Sequence, residues 1–197
     1  MPTNSKFSEQ SFTEYLQATF LLSSSLILLY ILLTSKNIKY TSLLLFGLTC
    51  TSLIRESDVF FDSIFIGAWQ IPAFAVLGIV IFVLYRHFFQ LVKELAYYLS
   101  SLSFGLFIGG FLTTYVFSRL FGRKKFWYAV MEDQYLRIVK NAAEEGVELF
   151  GYLILLFAVI EMFILSIKKR QTIKIYSQSK SKLVPDQELA NSNCCVF

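Results

Sequence analysis

The chain has 197 residues, with 18 Lys and Arg against 14 Asp and Glu for a net charge of +4. Hydrophobic residues make up 55% and charged ones only 16%, whereas a soluble domain carries about 25% charge and would precipitate with this much apolar surface. A soluble globular protein is therefore excluded, and the 21 Phe and 11 Tyr suit lipid-facing surfaces and interfacial belts.

Five apolar stretches run over residues 16–34, 40–54, 66–85, 99–117 and 147–167. At a rise of ~1.5 Å per residue, about 20 residues cross a hydrocarbon core of ~30 Å. Backbone groups in lipid have to be satisfied inside the segment, and the run 26–33 lacks the period-two alternation of a barrel strand. The predicted fold class is all-α: a polytopic membrane protein with a single bundle of about five transmembrane helices over 16–167. A polar lead precedes it over 1–15, and a basic, largely disordered tail follows over 168–197.

The first stretch is long, follows a polar segment and precedes no small-x-small cleavage site, so it is expected to be an uncleaved helix and not a signal peptide. Its Ser23-Ser24-Ser25 run is expected to bond back to helix carbonyls. Lys36 and Lys39 mark a tight turn, making the first two helices a hairpin. The second stretch runs into Arg55-Glu56-Ser57-Asp58 and then Val59, Phe60, Phe61 and Asp62, which predicts a helix continuing to about residue 64. Gly67, Trp69 and Pro72 open the third helix, with Trp69 as an interface anchor.

Residues 87–98 predict an interfacial connection. Helix four carries Ser101, Gly105, Gly109 and Thr113 at i+4 spacing. This small-residue ladder predicts an internal packing face, with a dimer seam as the alternative. Residues 124–140 predict an amphipathic helix in the headgroups. Lys and Arg are nearly balanced between the two sides of the membrane, and the dense Lys168-Lys169-Arg170 assigns the C-terminus to the cytoplasm.

Six acids are expected to gather at one face of the membrane: Glu56, Asp58 and Asp62 from the second stretch, and Glu144, Glu145 and Glu148 from the fifth. On a continuous helix Arg55, Asp58 and Asp62 share a face, as do Glu144 and Glu148. A charge deep in a bilayer costs from ~3 to well over 10 kcal/mol, so these groups pair, face a cavity or reach the interface. In one reading they line a vestibule that collects a proton or cation. No organic cofactor is evident, and hard oxygen ligands would suit a divalent cation such as Ca²⁺, Mg²⁺ or Mn²⁺. In the other, Arg55, Arg119, Arg123 and Lys124 neutralise the acids in a salt-bridge network. Glu161 lies ~20 Å beyond Glu148 along the helix, and its expected partners are Arg86 and His87.

Cys50 sits in an apolar stretch and Cys194-Cys195-Val196-Phe197 has the C-a-a-X form, so Cys194 is a candidate for prenylation and chance is the competing account. No paired-cysteine pattern, G-x-S-x-G, phosphate-binding glycine loop or HExxH is present. The lipid bilayer is the expected partner; a homo-oligomer or a larger membrane partner is a further candidate, and nucleic acid is not. The first-ranked function is a small transport or channel-type protein passing a cation or protons by the acidic cluster. A non-catalytic scaffold or assembly partner with structural charges ranks second. A metal-dependent lipid-modifying enzyme ranks third, for want of a clear nucleophile or base.

Overall fold

The computed structural model describes residues 12–35, 37–62, 65, 67–131 and 136–192, and the side chains of all of these except 12, 59 and 172–192. The polar lead up to residue 11 and the Cys194 motif lie outside the described residues. Every regular element among the described residues is helical: α1 Phe12–Thr34, α2 Lys39–Glu56, α3 Asp58–Asp62, α4 Gln70–Arg86, α5 Phe88–Leu99, α6 Leu102–Phe121, α7 Lys124–Met131 and α8 Arg137–Ser192. This is the result expected where lipid offers the backbone no hydrogen bonds.

Among the described residues three helices are long and apolar enough to cross a membrane: α1 over Thr13–Thr34, α6, and α8 over Arg137–Gln171. A fourth is reached only if α4 and α5, bent by 96° at His87, count as one span. The five spans expected from the sequence are thus corrected to three or four. The 18 residues of α2 include Lys39, Arg55, Glu56 and five serines or threonines, which leaves it too polar for a span of its own. With 17 residues, α4 falls short of the ~20 that a crossing needs.

The helices form an open arc. α2 packs on α1, α1 on α8, and α8 on α6, while α4 is held on the outer side of α2. The core lies between the two central helices, with Leu21, Leu28 and Ile31 of α1 buried against Leu155, Val159 and Met162 of α8. Ser24 bonds back to the Phe20 carbonyl at 2.8 Å, as the serine run predicts, whereas Ser25 reaches across to Thr49 of α2 at 3.3 Å.

Helix two does not continue to residue 64. It ends at Glu56, Ser57 forms a turn, and Asp58 starts a separate short helix. Ser and Asp compete for backbone partners and favour turns and helix starts over helix interiors. Arg55, Asp58 and Asp62 therefore do not share one continuous helical face. The predicted helix over 124–140 is also interrupted, since Leu136 is not helical and α8 begins at Arg137. That last helix passes Lys168, where the sequence places the start of the tail, and runs to Ser192.

The small-residue ladder of α6 faces away from the bundle. A Cβ added at Gly105 or Gly109 meets nothing within 4 Å. Ser101 caps the helix by accepting from Phe104 N, and Thr113 bonds back to Gly109 O at 2.8 Å. The close approach is made one residue on: a Cβ at Gly110 would stand 2.9 Å from Leu155 N and 3.0 Å from Gly151 O. One at Gly151 would stand 2.9 Å from Thr114 N. The same helix contains a π-helical turn over Thr113–Phe117, which widens the coil there. Thr114 is buried on the Gly151 side of this turn, and Tyr115 meets Ser52 of α2.

These contacts set opposite tolerances along one helix. Gly110→Ala and Gly151→Ala should each lower stability in detergent by about 1–3 kcal/mol, the usual cost of overpacking. Gly105→Ala and Gly109→Ala should unfold at or slightly above the parent temperature, because alanine is the better helix former. Thermal unfolding of the four variants by circular dichroism checks the contrast.

Candidate functional site

One end of the arc carries a polar cluster built from α2, α6 and α8. The last turn of α2 supplies Ser52, Arg55 and Glu56. The far end of α6 supplies Tyr115, Ser118 and Arg119, and the first turns of α8 supply Lys140, Glu144, Glu148 and Tyr152. Glu56 Oε1 accepts from Arg55 at 2.8 Å and from the Tyr152 hydroxyl at 2.7 Å. The Arg55 guanidinium also lies 5.9 Å from the centre of the Tyr115 ring, within reach of a cation–π contact, and the Tyr115 hydroxyl bonds to Ser52.

The acids of α8 are held separately. Glu148 Oε1 accepts from the Ser118 hydroxyl at 3.0 Å. Glu144 pairs with Lys140 at 2.8 Å, one helical turn back, and with Arg119 at 3.9 Å. Glu145 turns the other way, towards the start of α1. Its Oε2 accepts from Thr13 Oγ1 at 3.0 Å, and its backbone carbonyl accepts from the buried Gln17 amide at 3.3 Å.

The expected gathering of six acids is thus met only in part. Glu56 and Glu148 share the cluster closely enough to feel each other's charge, with Glu144 beside them on α8. Asp58 is exposed at the start of α3. Asp62 is also exposed and accepts from Gly67 N at 2.9 Å. It closes a turn in which Gly67 has φ +83°, a conformation that glycine adopts at little cost. Of the expected bases, Arg55 and Arg119 reach acids, whereas Arg123, between α6 and α7, and Lys124, the first residue of α7, are exposed.

The proposed second pair does not assemble. Glu161 is half-buried on α8, but Arg86 is exposed over the Phe82 ring at 5.5 Å and His87 stacks on Tyr40 at 4.7 Å. Among the described residues no ion pair joins Glu161 to either. Sequence reasoning also passed over Glu94 of α5. Its Oε2 accepts from Tyr40 N at 2.7 Å and Thr41 N at 3.0 Å, placing a carboxylate on the unsatisfied first turn of α2. The tyrosines 115 and 152 were missed as well, because a Tyr inside an apolar run gives no sign that its hydroxyl meets a polar partner.

No group of three or more His, Cys, Asp or Glu side chains among the described residues is placed to hold a metal ion. The chemistry on offer is charge neutralisation and hydrogen bonding between helices. Compared with known proteins, the sequence matches no family model, no curated protein and no solved structure.

Tyr152→Phe removes one donor from a charged acceptor and should cost about 1.5–3 kcal/mol of stability in detergent. Asp58→Asn, at an exposed position, should stay within about 0.5 kcal/mol of the parent. Chemical or thermal unfolding of both variants in the same micelle is the measurement.

Proposed function

We propose that this is a non-catalytic, multi-pass membrane component, a scaffold or assembly partner whose intramembrane charges are structural. The observation that carries the reading is that three of the four acids described at this end of the bundle are matched from within the chain. Glu56 is met by Arg55 and Tyr152, Glu144 by Lys140 and Arg119, and Glu145 by Thr13. A vestibule that collects ions would instead keep its carboxylates turned to an open cavity. A larger membrane partner or a second copy would meet the protein through lipid-facing helices, and the basic Lys168-Lys169-Arg170 supports a cytoplasmic C-terminus.

One observation favours proton handling as a second reading. Glu148 is half-buried, its one hydrogen-bond partner among the described residues is the Ser118 hydroxyl, and no Lys or Arg there lies within ion-pair distance. A carboxylate so placed is the group in this cluster best suited to exchange a proton.

Purified protein in liposomes with an entrapped pH dye and an imposed potassium gradient separates the two. The scaffold reading expects proton and potassium leaks equal to protein-free vesicles, for the parent and for Glu148→Gln alike. A proton leak that rises with protein content and is abolished by Glu148→Gln would replace it with the second reading.

A further inference from the structure

Beside the polar cluster, and outside the function just proposed, a cleft of about 370 Å³ opens between α2, α4 and α6. Its inner end is apolar, formed by Leu48, Leu77 and Phe111, and its outer end carries Arg55, Trp69 and Tyr115. Leu48 and Arg55 are seven residues apart on one helix, so the cleft is ~10 Å deep along α2. It opens sideways because α4 packs on α2 and meets α5 but has no extended contact with α6. Phe74, on the α4 rim, is 69% exposed.

We infer that this cleft seats one acyl chain of a zwitterionic phospholipid, with the headgroup phosphate on Arg55. The shape and polarity fit an amphiphile: an apolar slot reached from the lipid side, closed at its interfacial end by an arginine and a tryptophan. The volume falls in the range of small-molecule pockets, ~300–1,000 Å³. The guanidinium has five N–H donors in a planar fork. Glu56 takes a bond from one nitrogen, and the side chain keeps 30% of its surface exposed, leaving donors for a phosphate oxygen. Glu56 and Glu148 stand near Arg55, which disfavours a net anionic headgroup and suits one that sets an ammonium beside its phosphate.

Trp69 reports on its own occupant. In Trp127→Phe protein, Trp69 is the remaining tryptophan. In a neutral maltoside micelle, titration with phosphatidylethanolamine carrying a brominated acyl chain should quench its fluorescence saturably. Half-saturation should fall at least tenfold below that of a brominated alkyl maltoside, and also below that of brominated phosphatidylglycerol. Arg55→Gln should erase the differences between headgroups. Thr51→Phe, which fills the slot and leaves the Arg55–Glu56 pair in place, should remove the saturable phase. Quenching that rises linearly and is unaffected by Thr51→Phe would overturn the site. Equal quenching by all three amphiphiles would overturn the headgroup assignment. A dimer by light scattering, with Trp69 shielded from every probe, would give the cleft to a second copy and overturn the proposal.

Discussion

The carboxylate of Glu56, held between Arg55 and the Tyr152 hydroxyl, is the contact on which the arrangement of helices depends. The main order of packing, α4 to α2 to α1 to α8 to α6, describes an arc, and α5 links α2 to α6 at the end away from Glu56. Nothing in that order brings α2 back to α8 or α6 along their backbones. Two polar contacts do so at one end: Glu56 with Tyr152, and Ser52 with Tyr115. In lipid the tails are as apolar as leucine, so helices are joined by close packing and by hydrogen bonds. The arc uses packing at its centre, where Gly110 and Gly151 meet, and hydrogen bonds where its curve has to close.

The same economy accounts for the distribution of charge. Glu56, Glu144, Glu145 and Glu148 have partners within the chain, whereas Asp62 and Glu94 serve a turn and a helix end. Asp62 closes the loop before α4 and Glu94 covers the start of α2, both by accepting backbone N–H bonds that a helix or tight turn would otherwise leave unmet. A protein with few charged residues thus uses many of them for assembly, which explains why a dense acidic region need not mark a route for ions.

Much of the fold is legible in the sequence, because hydrophobic length alone dictates helices in a bilayer. The hairpin of α1 and α2, the entry to α4 at Gly67 and Trp69, and the disposition of Glu56 and Glu148 at one end all follow from residue order. What the sequence conceals is tertiary. The hydroxyls of α2 look tolerable in an apolar run, yet with Lys39, Arg55 and Glu56 they leave that helix dependent on its neighbours. Gly105 and Gly109 have the spacing of a packing face, but the π turn and the approach of Gly151 give that role to Gly110. Whether Tyr115 and Tyr152 face lipid or α2 is decided by rotation about the helix axis, which spacing alone does not determine.

The elbow at His87 has a mechanical consequence. Because α5 folds back at 96° and Glu94 clasps the first turn of α2, the far end of α4 is pinned to α2 while Val80 sits against Gly47 midway. That wall is therefore fastened along its length, like a splint and not a swinging door. Any change in the width of the lateral opening has to come from α6, the helix already carrying a widened turn.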